Sequence, residues 1–114
     1  MKALRINAGS PIELVDITPE LETYQEIVQG YICTCSFALC PPFQALMIVN
    51  DEGLIDGLPE NLYASCLRGG LIVGNALIVG VRGDDFCDVP PFLSAAVPEL
   101  NEQIAAHLAS TDSP

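Results

Sequence analysis

The sequence predicts a single α+β domain: a mainly antiparallel sheet of about five to six strands with two helices, over residues 19–29 and 98–109. Three observations predict it. The chain has 114 residues and 50% apolar content, enough for one core and too short for two. Short apolar runs alternate with period two along most of the chain, whereas the helical period appears in only two segments. Nine glycines and nine prolines separate these runs into short elements. The domain spans 1–109, and the polar STDSP at 110–114 reads as a frayed tail.

The elements follow in order. KALRI and IELVDI flank the turn chemistry of Asn7-Ala8-Gly9-Ser10-Pro11, an initial β-hairpin. Thr18-Pro19-Glu20 offers an N-cap, a proline at the first helical position and an acid in the first turn, with Gly30 as the terminating glycine. Between them Leu21, Tyr24, Ile27 and Val28 form one apolar stripe, and Glu20, Glu22 and Glu26 fall on the wet side. From Tyr31 the period becomes two, so that Tyr31, Cys33, Cys35 and Phe37 share a core-facing side of a strand that ends at Cys40-Pro41-Pro42. Ala45–Val49 pairs with it and runs into the turn Asn50-Asp51-Glu52-Gly53, with Leu54-Ile55 as a short return. Asp56–Gly70 lacks periodicity and reads as a long loop with one helical turn at most. LIVGNALIVGV is a bent or bulged β element with its break at Gly74-Asn75, a central buried strand or a tight hairpin. Pro90, Pro91 and Pro98 then cut an extended connector from the final helix, whose Leu100, Ile104 and Leu108 share a face.

The charge balance bounds the function. Fifteen acids stand against Lys2, Arg5, Arg68 and Arg82, a formal net charge of −11. Four basic side chains cannot neutralise a row of phosphates, which argues against direct nucleic-acid binding, and the acid excess suits a partner with a basic surface. The longest apolar run, Leu71 to Val81, is interrupted by Gly74, Asn75 and Gly80, so no membrane span is expected. Nothing in MKALRINAGSP resembles a signal peptide, which predicts a cytoplasmic location in a bacterial host cell with reduced thiols.

Chemistry-bearing side chains are few. Cys33, Cys35 and Cys40 form C-x-C-x4-C, with Cys66 and Cys87 distant. Zinc needs four ligands, and no second knuckle follows, so the expected cofactor is none and packing is the favoured role of the thiols. A thiol nucleophile needs a base, and His107 is the single histidine. Asp51-Glu52 and Asp84-Asp85 are paired acids in turns without apolar walls, unsuited to acid–base work. No glycine pattern matches a phosphate-cradling loop, although Arg68 and Arg82 flank the glycine-rich strand and offer charge for one anion.

The segments MKALRI, QGYI, NDEGLIDGLPEN and LIVGNALIVGV resemble a family of small uncharacterised proteins, a domain of unknown function carried on bacteriophages, plasmids and integrative elements. The similarity runs from Met1 to about Asp88, and CTCSFALC and the proline-cut C-terminal region depart from it. The resemblance implies a mobile-element protein that binds and blocks a host defence component, of anti-CRISPR or anti-restriction type.

Joined to the acidic charge, this predicts a non-catalytic inhibitor of a host protein with a basic surface, such as a nucleic-acid-binding defence complex. Its expected contacts are Asp51, Glu52, Asp56, Glu60, Asp84 and Asp85. Two alternatives stand beside it: a sponge for a nucleotide signal through Arg68 and Arg82, and a small enzyme using a cysteine with His107. A homo-oligomer is compatible with each.

Overall fold

The computed structural model describes residues 1–42 and 44–111. They form a six-stranded antiparallel sheet with three helices: β1 Lys2–Ile6, β2 Glu13–Asp16, α1 Leu21–Val28, β3 Ile32–Cys35, β4 Ala45–Asn50, α2 Leu62–Arg68, β5 Ala76–Arg82, β6 Asp85–Cys87 and α3 Pro91–Thr111. The strand order is β2-β1-β5-β4-β3. One edge of β5 pairs with β4, while the other is shared end to end by β1 over Ala76–Ile78 and by β6 over Gly80–Arg82.

Both faces of the sheet are covered, which is why β5 reads as a continuous apolar run. Leu77 and Val79 join Ala3 and Ile48 beneath Tyr24 and Val28 of α1. Ala76 and Ile78 turn the other way with Leu4, Ile6 and Met47, under Ala64 and Leu67 of α2 and Leu93, Val97 and Ile104 of α3. The hairpin, the β3–β4 pairing and the buried β5 are as expected.

Several boundaries differ, each for a physical reason. Asp56–Gly70 contains a helix: Asn61 Oδ1 caps it by accepting from the Ala64 N–H at 3.1 Å, and Gly69 ends it in the left-handed conformation at φ 79°. The final helix begins at Pro91, seven residues before Pro98, because Leu93 and Val97 extend its buried stripe and outweigh the hydrogen bond that Pro98 cannot make. It also runs on to Thr111, through the start of the expected frayed tail, whose remainder at 112–114 lies outside the described residues. Leu54-Ile55 belongs to a turn rather than a return strand, and Asp85–Cys87 forms β6 instead of a connector.

α1 starts after Glu20, not after a Thr18 cap, and its left-handed terminal residue is Gln29 at φ 65° rather than Gly30. Leu21, counted in the apolar stripe, is 55% exposed. Gly30 serves close approach instead: a methyl there would stand 2.7 Å from Asn50 Nδ2, which donates to the carbonyls of Val28 and Gln29 at 3.0 and 3.2 Å. Asn50 thereby satisfies the carbonyl end of α1 from β4.

Asparagine does similar work elsewhere. Asn75 accepts from the Ala8 N–H at 2.9 Å and donates to the Ile27 carbonyl at 3.0 Å. Asn101 of α3 holds both the N–H and the C=O of Ile12, at 2.8 and 2.9 Å. Buried or half-buried amides thus tie backbone segments distant in sequence, each meeting groups that would otherwise be unpaired.

Asp16 closes the first hairpin, accepting from the Met1 ammonium at 2.9 Å and from Lys2 Nζ at 3.1 Å. The hydrogen bond from that ammonium, and then Lys2, hold its carboxyl below the usual carboxylate range. A depressed pKa contributes stability above the unfolded value that is lost as pH falls through the folded one. Asp16→Asn is therefore expected to lower Tm slightly at pH 7, with the gap to wild type closing below about pH 4 in thermal scans.

Candidate functional site

The segment from Asn50 to Asn61 is anchored at both ends and exposed in the middle. Asn50 Oδ1 accepts from the Glu52 N–H at 2.8 Å while its amide nitrogen caps α1. Inside the turn, Asp56 N donates to Glu52 O at 2.9 Å and Leu58 N to Gly53 O at 3.0 Å. Glu60 bridges Val73, and Gly74 N donates to Pro59 O at 2.7 Å.

Asn61 is fully buried and makes the far anchor. Its Nδ2 donates to the carbonyls of Ile6 and Gly74, both at 2.8 Å, while its own N–H donates to Ile72 O. A turn fixed in this way presents its side chains at little further ordering cost on binding.

Those side chains are acids interleaved with apolar groups. Asp51, Glu52, Asp56 and Glu60 are all exposed, and so are Leu54 and Ile55, at 72% and 84%. Tyr31 and Leu71 stand beside the same turn, 70% and 59% exposed. Two grooves flank it. One of about 300 Å³ runs between Leu54, Ile55 and Leu71, and one of about 340 Å³ lies against Tyr31, Gln25 and Asp56; Glu52 lines both. Tyr31, Leu54, Ile55 and Leu71 thus gather exposed apolar side chains around one turn.

The expected contact residues do not form one surface. Asn50 lies beside the start of β5, whereas Asp84 and Asp85 follow its end at Arg82. Seven strand residues at ~3.3 Å each separate the two acidic turns. Arg68 and Arg82 do not converge either. Arg68 sits against Cys35 on β3, which pairs through Met47 to Ile78, and Arg82 is four residues further along β5 and two strands across. Arg82 instead lines a groove of about 720 Å³ with Lys2, Phe86 and Asp88, at the end of the sheet opposite the anchored turn.

The cysteines are dispersed. Cys33 and Cys66 are exposed, Cys40 is buried with its thiol directed at Gln44 Oε1, and Cys87 lies on β6. Among the described residues no group of three or more His, Cys, Asp or Glu side chains could hold a metal ion. Burial pushes the Cys40 thiol up; burial also raises Cys35, offset in part by the Arg68 guanidinium.

The strand is shorter than the expected Tyr31–Phe37 face: Cys35 and Phe37 pack toward α2 and α3 and Ile32 toward α1, and of Tyr31, Cys33, Cys35 and Phe37 only Phe37 is buried. β3 is the outermost strand, and α2 and α3 cover the centre of the sheet. Cys66 and His107 do line a common shallow groove between α2 and α3, with Gln103 and Ile104. Glu60 and Leu71 border a neighbouring groove that both residues also line.

The α+β fold carries an anchored turn of acidic and apolar side chains at one end of its sheet, and no helix among its described residues is long and apolar enough to cross a membrane. The chain belongs to the family of the domain of unknown function DUF3846, whose model matches residues 1–104. Comparison with curated proteins and with solved structures returns no match.

Sequence reasoning gave Gly30, Asn50 and Gly74 only local tasks, as helix terminator, turn residue and strand break, and gave Asn61 none. They converge at this end of the sheet, where they hold the turn. It missed the exposed Tyr31, Leu54, Ile55 and Leu71, which the apolar pattern had assigned to strands.

Proposed function

We propose that this protein is a non-catalytic binding protein that uses the anchored turn of Asp51, Glu52, Asp56 and Glu60, with Tyr31, Leu54, Ile55 and Leu71, to occupy a basic surface of a partner protein. The observation that carries it is the pairing of a backbone hydrogen-bonded at both ends of the turn with exposed apolar and acidic side chains at one end of the sheet. Aromatic and aliphatic groups supply the desolvated centre of such a contact, and carboxylates supply steering and specificity at its rim. The net charge of −11 favours a basic partner over all others. A nucleic-acid-binding groove of a host defence complex, blocked by a mobile-element protein, is the setting that the sequence resemblance supports.

The test compares four variants with the wild-type protein for capture of a partner, followed by kinetics on the purified pair. Reversing Asp51, Glu52, Asp56 and Glu60 to Lys is expected to slow association about tenfold or more and flatten its salt dependence. Leu54→Ala with Ile55→Ala is expected to accelerate dissociation. Asp84→Lys with Asp85→Lys, at the far end, is expected to leave capture unchanged, as is His107→Ala. Equal capture by the first and third variants sinks the proposed surface; loss of biological activity on His107→Ala, with capture intact, moves the assignment to the enzyme alternative.

A further inference from the structure

The two outer strands of the sheet are finished differently. β2 presents the backbone of Ile12, Leu14 and Asp16 outward, since Ile17 N donates to Met1 O and bonding alternates along an antiparallel pair. That edge is guarded: Asn101 occupies both polar groups of Ile12 in the manner of a neighbouring strand, and Glu13 and Asp16 add charge.

β3 has none of these devices. Asp51 N donates to Tyr31 O, so the odd residues face β4 and the N–H and C=O of Ile32 and Thr34 face outward. Val81 N donating to Gln44 O puts the even residues of β4 toward β5 and confirms the phase. The sequence ICTC contains no charge, no proline and no bulge, Cys33 and Thr34 are exposed, no described strand pairs with the outer edge, and the Thr34 carbonyl accepts only the adjacent Cys33 thiol, at 3.8 Å.

From this asymmetry we infer that β3 is a docking edge, onto which an extended segment of the basic partner adds as a seventh strand. The inference rests on the proposed binding function and names how the partner is held. The charges along β3 set the chemistry of the guest. Asp51, Glu52 and Asp56 lie at the Tyr31 end, whereas Arg68 sits at the Cys35 end. The matching segment is strand-forming, carries Lys or Arg where it passes Tyr31, and is neutral or acidic where it passes Arg68. The net charge of −11 opposes pairing with a second copy of this chain, the outcome that the sedimentation measurement below reads.

The probe is a synthetic eight-residue peptide of alternating Val and Thr bearing two Lys at one end, with an N-methylated version that cannot form backbone ladders as control. On titration into the intact protein, the amides of Ile32 and Thr34 are expected to exchange with solvent about tenfold more slowly, and the N-methylated peptide is expected not to bind. Thr34→Pro removes an outward N–H that no β4 bond uses, and Thr34→Lys adds a guard charge without touching the backbone. Each is expected to weaken the peptide about tenfold or more, and the lysine variant keeps the test valid if the proline disturbs folding.

Peptide binding that ignores both Thr34 variants overturns the docking edge and leaves the acidic surface standing. Absence of peptide binding at low salt, with partner capture intact, overturns the edge alone; absence of both removes the binding function as well. Slow exchange at Ile32 and Thr34 in the free protein, rising with concentration alongside a dimer in sedimentation, overturns the basic guest in favour of a second copy.

Discussion

Asn61→Ala is expected to cost this fold more than any other single truncation of a polar side chain. Three hydrogen bonds end on the Asn61 side chain, which is fully buried: from Nδ2 to the carbonyls of β1 Ile6 and of Gly74 before β5, and to Oδ1 from Ala64 in α2. Removal leaves the Gly74 carbonyl and the Ala64 N–H without the partners they have here, and leaves the Ile6 carbonyl with its place in the β1–β5 ladder alone. At ~1–3 kcal/mol for each orphaned group, the loss is about 4 kcal/mol. A domain of this size holds about 5–15 kcal/mol in total, so Tm should fall by at least ~15 °C.

Asn61→Asp separates hydrogen bonding from size. A carboxylate keeps the cap on Ala64 but sets negative charge against two carbonyls, so the variant should be destabilised at pH 7. The introduced carboxyl is buried and lacks a cation, which raises its pKa in the fold above the unfolded value. Stability is then greatest at low pH and is lost as pH rises through the folded pKa, so the variant should recover as the buffer is acidified. A Tm for either variant within ~2 °C of wild type at pH 7 would show that the clamp contributes nothing.

Gly80→Ala is the second large effect and acts through backbone. Where β1 and β6 share the edge of β5, the chain leaving β6 crosses directly over Gly80. A methyl there would overlap the Asp88 carbonyl oxygen, with the carbonyl carbon at 2.9 Å and Cys87 Sγ at 3.0 Å. Backbone cannot rotate away as a flexible side chain does. The crossing is itself fixed, since Lys2 N donates to Asp88 Oδ1 and Val89 N donates to Lys2 O, both at 2.9 Å.

The expected cost of Gly80→Ala is about 3 kcal/mol, at the upper end for overpacking. Faster amide exchange should be confined to β6, β1 and the start of α3. Unchanged exchange at Cys87 and Val89 would mean that the strand moves aside without loss. Because Val89 and Leu93 enter the core directly after the crossing, Gly80 also governs how α3 seats on the sheet.

Local chemistry was enough to foresee the first hairpin, the pairing of β3 with β4 and the burial of β5, because period-two alternation and turn residues act over a few neighbours. The α2 helix was legible in principle, since Asn61 at its cap and Gly69 at its end are standard signals. The glycines and proline around it drew the segment toward a loop.

Pro98 misled for a related reason. A proline ordinarily bounds a helix, but the buried stripe of Leu93, Val97 and Ile104 crosses it, and packing outweighs one missing hydrogen bond. The candidate site was half legible. Acids at Asp51, Glu52, Asp56 and Glu60 stood out, yet Asp84 and Asp85 appeared equivalent to them because sequence carries no distance across a sheet.

The sequence by itself determined the class of fold and the acidic charge. These follow from composition and period, which the chain carries locally. Only the tertiary structure decided which apolar residues stay in water, which acids stand together, and which strand edge is left open. Tyr31 and Cys33 follow the apolar alternation in the sequence and are exposed all the same, because α2 reaches this outer strand only at its Cys35 end. Burial depends on what a neighbouring element covers, and that element is distant in sequence.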